Sequence, residues 1–179
     1  DDGLLKVWNP GKGTLLRRLK LAAPASALGF NADGTVLAVG TAQGEVRLWD
    51  TRTWREFSPY LSRQGQINAL QFLPGNRLLA MAGEQLKVSI VDLSTREVVK
   101  ELVHMSVSES CDGKGCVRKR STQAEAVLTL ALLDGSPFLL TASQTGQVAW
   151  DIETWTEIDR PVGFPENWSG LGWRRSYLA

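Results

Sequence analysis

Trp49-Asp50-Thr51-Arg52-Thr53-Trp54 and Trp150-Asp151-Ile152-Glu153-Thr154-Trp155 share one pattern, Trp-Asp-x-x-Thr-Trp. Val91-Asp92-Leu93-Ser94-Thr95-Arg96 keeps the Asp-x-x-Thr core, and Trp8-Asn9 is a reduced copy. Trp8 and Trp49 lie 41 residues apart, Asp50 and Asp92 lie 42 apart, and Asp92 and Asp151 lie 59 apart. A unit of ~40–45 residues therefore recurs, with roughly 17 additional residues in its third interval. A period of that length marks a repeat architecture.

A second register runs in phase with the first. Ala27-Leu28-Gly29-Phe30, Ala69-Leu70-Gln71-Phe72, Thr129-Leu130-Ala131-Leu132 and Gly170-Leu171-Gly172-Trp173 occupy the same place in successive units. The first three run into turns, Asn31-Ala32-Asp33-Gly34, Pro74-Gly75-Asn76 and Asp134-Gly135-Ser136, built from residues that start turns or tolerate φ > 0. Apolar runs follow at Val36 to Val39, Leu78 to Ala82 and Phe138 to Ala142. Each unit then holds a second turn, a strand ending at the Trp-Asp position, a third turn and a last strand such as Glu97 to Val103. Short strands at regular intervals with turn chemistry between them specify an all-β protein. The alternation predicts core positions at Leu28, Phe30, Leu70, Phe72, Leu128, Leu130, Leu37, Leu79, Val46, Leu48, Val88 and Ile90, and a nearly continuous apolar inner strand over 126–131.

Four short strands per unit, with Trp-Asp closing the third, resembles the WD-repeat β-propeller family. The resemblance implies antiparallel four-stranded blades packed face to face. It divides the chain into a half blade at 1–20, blades at 21–61, 62–103 and 123–162, an insertion loop at 104–122, and a half blade at 163–179. That is about four blades' worth of strands, read as an excerpt of a larger, seven-bladed type of propeller; closure into a four-bladed ring is the alternative. In an excerpt, open edges and uncovered faces invite self-association. Trp49 and Trp150 belong to the inter-blade layer, each with an indole N–H to satisfy. The Gly-His dipeptide usual in the family is missing, and Gln43 and Gln85 stand where the turn Asp belongs. The family's Asp–His–Ser/Thr–Trp hydrogen-bond network is therefore expected to be incomplete, with packing holding the blades.

The 179 residues carry a formal charge of +1 and 43% hydrophobic residues. The charge balance argues against a nucleic-acid partner, which calls for a basic stripe. The longest apolar stretches, such as Ala126 to Leu133, stop far short of the ~20 residues of a membrane helix, so no membrane partner is expected. No signal-type segment is visible, and a cytoplasmic location is the expectation. A single histidine and scattered carboxylates nominate no catalytic residues, no resident metal and no cofactor.

The departure from the period is the informative local feature. The segment from His104 to Thr122 lies between the last strand of one unit and the first strand of the next, and loops longer than ~12–15 residues are usually functional or disordered. It holds both cysteines, Cys111 and Cys116, and a basic cluster of Lys114, Arg118, Lys119 and Arg120. The cysteines read either as reduced thiols or as a hairpin disulfide, according to the redox compartment. A zinc set would take His104, Cys111, Cys116 and Glu109 or Asp112. The basic cluster reads as a solvated charge run or as a site for an acidic peptide or phosphate. Trp54 and Trp155, after the third turn of their units, are either a lid on blade packing or an aromatic contact surface. Pro10-Gly11-Lys12-Gly13-Thr14 lacks the spacing of a phosphate loop and fits a strand-to-strand turn. Asn167-Trp168-Ser169 satisfies the glycosylation rule and carries meaning only in a secreted protein. The function expected is a non-catalytic scaffold or sensor binding proteins or peptides through its loop-bearing face. The alternatives are an enzyme site at the central channel mouth and a redox- or metal-responsive loop at Cys111 and Cys116.

Overall fold

The computed structural model describes residues 3–57, 60–61, 65–105, 107–112, 115–120, 123–132, 137–144 and 146–158, and these form strands, turns and no helix. β1 (Leu4–Asn9) and β2 (Thr14–Lys20) make a two-stranded leading sheet. The first blade is β3 (Ala25–Phe30), β4 (Val36–Thr41), β5 (Glu45–Asp50) and β6 (Tyr60–Leu61). The second is β7 (Ile67–Phe72), β8 (Leu78–Gly83), β9 (Lys87–Asp92) and β10 (Glu97–Val103). A hairpin of β11 (Val107–Asp112) and β12 (Gly115–Arg120) precedes the third blade. That blade is β13 (Thr129–Leu132), β14 (Phe138–Ala142), β15 (Gln147–Asp151) and β16 (Glu157–Ile158). Every blade is an antiparallel meander, so each fold-back needs only a short turn.

Both faces of a blade meet neighbours, which is why the middle strands read as apolar runs rather than alternating ones. In β4 and β8 the last five residues are all buried. Three clusters hold the blades together. Leu5 and Leu19 of the leading sheet pack on Leu37, Val39 and Trp49 of the first blade. Ala27, Ala38, Val46 and Leu48 meet Leu70, Phe72, Leu79 and Met81. Ala80, Val88 and Ile90 meet Val127, Leu130, Leu139 and Trp150. Packing is close enough to dictate residue size at Gly40, where a Cβ would stand 2.5 Å from Cγ2 and 2.7 Å from Cβ of Ile67.

The inner strands also exchange hydrogen bonds. The pairing register slips between Ala25 and Ala27 and again between Ile67 and Ala69. A bulge turns one side chain out of the ladder, and the residues there are Ser26 and Asn68. Ser26 Oγ donates to Ile67 O at 2.6 Å, and Asn68 Nδ2 donates to Val127 O at 3.1 Å, each reaching the innermost segment of the following blade.

Nine of the twelve expected core positions are buried. Leu28 and Phe30 are instead 54% and 56% exposed, and Leu128 is 45% exposed. Leu28 and Phe30 correspond to Leu70 and Phe72, whose face of β7 is covered by the first blade. The leading sheet covers Leu37, Val39 and Trp49 on β4 and β5 but not these two positions on β3. Leu128 occupies the place of Ser26 and Asn68, which elsewhere reaches toward a following blade. The apolar stretch 126–131 contributes to β13 only from Thr129 onward. Residues 170–173 and 177–179, read as further strands, lie outside the described residues, as do the turn 134–136 and the 167–169 triplet.

Candidate interaction surface

The repeated motif is a turn with its own wiring. Asp50 Oδ1 accepts from Arg52 N at 2.9 Å and Thr53 N at 2.7 Å, and Trp54 N closes onto Asp50 O at 2.7 Å. Asp151 repeats this with Glu153 N, Thr154 N and Trp155 N at 2.8, 2.9 and 2.8 Å. Asp92 takes Ser94 N at 2.8 Å, and Arg96 N closes onto Asp92 O at 2.7 Å. In the β1–β2 turn Asn9 replaces the aspartate, accepting from Lys12 N, while Gly13 N closes onto Asn9 O. The closing residue is left-handed in all four turns: Gly13 at φ 62°, Trp54 at 55°, Arg96 at 62° and Trp155 at 57°. A left-handed non-glycine residue persists where its surroundings hold it. Trp54 is half-buried against the Leu37–Trp49 cluster, and Trp155 against the Ile90–Trp150 cluster, so each lies on its blade as a packing element.

These bonds favour the ionised carboxylates. The Thr53 amide and hydroxyl hold Asp50 below the usual 3.8, and the Thr154 and Glu153 amides do the same for Asp151. Asp92 is pushed furthest down, first by Arg77, whose Nε donates to Asp92 Oδ2 at 2.7 Å, and then by Ser94.

His104, expected in the insertion, belongs to the core of the third blade. It is fully buried, and its Nδ1 lies 2.8 Å from Thr141 Oγ1. Trp150 Nε1 donates to the same hydroxyl at 3.0 Å, and Thr141 Oγ1 reaches Val148 O at 3.3 Å. The hydroxyl is fully used when His104 and Trp150 both donate to it and it donates to Val148. The network expected to be incomplete has three of its four members, His104, Thr141 and Trp150, joined in this blade. The missed signal is position: His104 directly follows the last residue of β10, so the unit ends before the extra residues begin. This placement also removes His104 from the zinc set, because its ring lies inside the blade and not on the hairpin. Among the described residues no group of three or more His, Cys, Asp or Glu is arranged to hold a metal ion.

Burial holds His104 below the usual 6.5, against an opposing pull from Glu125 and Glu157. The unfolded chain then binds a proton that the fold refuses, so stability is present above 6.5 and declines as pH falls toward the folded value. The capped aspartates add a second decline below 3.8 by the same sign. Thermal melts from neutral to acid pH should show both phases, with the first absent in His104→Gln. A midpoint that stays flat until the carboxylate range would contradict this assignment.

The segment read as a loop contains an antiparallel hairpin. Cys111 stands opposite Cys116, Glu109 opposite Arg118, Ser108 opposite Lys119 and Val107 opposite Arg120. Lys114 lies outside the described residues. The base of the insertion is pinned by Glu125 N donating to His104 O at 3.1 Å, so the extra residues leave and rejoin the fold at one point.

Comparison with known proteins places this architecture. The family profile described as WD domain, G-beta repeat, matches residues 13–50. Transducin beta-like protein 3 of Mus musculus is 26% identical over 156 residues, covering 85% of this chain and 17% of that protein. Echinoderm microtubule-associated protein-like 2 of Homo sapiens is 31% identical over 100 residues, covering 55% of this chain and 15% of that protein. The crystal structure of the RRP9 WD40 repeats aligns with a TM-score of 0.67 at 16% identity, over 88% of this chain and 44% of that one, a likeness of fold.

Proposed function

We propose that this chain, a member of the WD-repeat β-propeller family, is a non-catalytic scaffold segment that binds proteins or peptides through the face bearing the 107–120 hairpin. WD-repeat proteins act in general as protein-interaction scaffolds. The observation that carries the reading is the hairpin itself. It is the one addition to the repeat frame among the described residues, it brings Arg118, Lys119 and Arg120 onto a single strand, and its base is tied to a buried histidine. Adding a hairpin between units of a repeat frame is one way a repeat protein gains a binding surface without disturbing its core. The turn aspartates support the same reading, because their carboxylates are spent on the fold.

The test separates folding from binding. Deleting residues 107–120 and joining the ends with a short glycine-containing turn should change stability by about 1 kcal/mol or less, since closure entropy depends weakly on loop length. A deletion that also takes His104 should cost more, because it leaves Thr141 and Trp150 without their third member. In pull-downs from cell extract, proteins retained by the intact chain should be lost from the hairpin-deleted chain and from Arg118→Glu/Lys119→Glu/Arg120→Glu. Identical retained sets for all three would overturn the reading.

A further inference from the structure

The hairpin of β11 and β12 differs from the blades in how it is held. Among the described residues its two strands pair with each other and with no third strand. A two-stranded sheet is marginally stable in water, because its pairing alone hardly offsets the ordering of its backbone. Cross-strand pairs are the unit of sheet stabilisation, and few here match. Of the six pairs, Cys111–Cys116 alone joins two residues of apolar type, and Glu109–Arg118 alone joins opposite charges.

The register sets the kind of pair the cysteines make. The six pairs run without a shift, from Asp112–Gly115 beside the turn to Val107–Arg120 at the base. Two residues separate Asp112 from Gly115, and a connection of that length is flanked by a hydrogen-bonded pair. Antiparallel pairs alternate in type, so Cys111–Cys116, the next pair out, is a non-hydrogen-bonded one. The Cα atoms of such pairs stand ~4.5 Å apart, against ~5.5 Å in hydrogen-bonded pairs. Disulfides span Cα separations of ~4.4–6.8 Å, so the backbone holds the two cysteines within bridging distance. That spacing lies at the short end of the range, and a bond formed away from the preferred geometry is easier to reduce.

We propose that Cys111 and Cys116 are a reversible redox site, closed by exchange with a small-molecule disulfide of the glutathione type, and that closure holds the 107–120 hairpin in its paired form. One thiolate attacks a sulfur of oxidised glutathione, forming a mixed disulfide and releasing one glutathione thiol. The second thiolate attacks the protein sulfur of that mixed disulfide, and the second glutathione leaves. Two electrons and two protons pass from the cysteines to glutathione, which ends as two thiols. The new bond ties β11 to β12 one pair from the turn, where it fixes the register of every pair beyond it. Reduction returns the hairpin to its backbone bonds and a single charge pair. The site is independent of what the hairpin binds, and it adds control over whether that surface is ordered.

The test equilibrates the full chain in mixtures of reduced and oxidised glutathione, quenches with acid and maps the disulfide by mass spectrometry. A Cys111–Cys116 bond within one chain is expected, reversed by excess reduced glutathione. The control keeps two cysteines and moves one: in Cys116→Ser/Val117→Cys the second cysteine stands opposite Ser110 instead. The chain length between the cysteines barely changes, so an unpaired segment oxidises both variants alike. The paired hairpin should lower the oxidation equilibrium constant of the shifted variant by about tenfold or more, because its cysteines no longer face each other. Hydrogen exchange reads the consequence for order. The amides of Ser110 and Val117, a hydrogen-bonded pair, should exchange slower by about tenfold or more in the oxidised chain, with β8 unchanged. Cys111→Ser/Cys116→Ser should exchange like the reduced chain in both buffers. Equal constants for the native and shifted pairs, a bridge between two chains, or exchange at Ser110 and Val117 that ignores redox state would overturn the proposal.

Discussion

Phe72→Ala is expected to cost about 3–5 kcal/mol of unfolding free energy, the range for emptying an aromatic core site. Phe72 is 3% exposed and packs with Leu48, Leu79, Met81 and Val91 between two blades. Those neighbours sit on paired strands of two sheets and relax little into the space left behind. Phe30 holds the same place in the preceding unit, and Phe30→Ala is expected to cost about 1 kcal/mol or less, as for a surface site. The pair is its own control, since residue type, strand position and cross-strand partner type match: Phe72 stands opposite Leu79, and Phe30 opposite Leu37. Denaturant unfolding of both variants checks the difference. Equal losses would mean that a covering element reaches Phe30 in solution.

Thr141→Val should be the second large effect, about 2–6 kcal/mol, from two buried donors each costing about 1–3 kcal/mol when left unpaired. Valine nearly reproduces the shape of threonine, so the loss reports on hydrogen bonding rather than volume. His104 Nδ1 and Trp150 Nε1 would both lose their partner in a fully buried place. Thr141→Ser keeps the hydroxyl and should recover most of the loss. Combining Thr141→Val with Trp150→Phe should cost less than the sum of the single changes, because the indole donor is then gone. Strict additivity would show that the three residues do not act as a unit.

Both predictions concern the same division between local and distant causes. The Trp-Asp-x-x-Thr-Trp turn was legible because its bonds span two to four residues: Asp50 to Arg52 and Thr53, then Trp54 back to Asp50. Strand positions were legible for a similar reason, since side chains on both faces of an inner strand meet apolar neighbours and the run shows it. The hairpin at 107–120 was harder to read, because its residues are polar and follow no unit of the repeat.

The sequence by itself determined the repeat, the all-β class, the turn geometry and the apolar stock of each strand, all properties of neighbouring residues. Tertiary structure decided which members of that stock are covered. Leu28 and Leu70 sit in equivalent settings along the chain, yet only Leu70 has a blade against it, because burial belongs to the pair of surfaces and not to the residue. Tertiary structure also placed His104, whose partner Thr141 lies 37 residues further on and is shared with Trp150, a meeting that needs the third blade to form beside the end of β10.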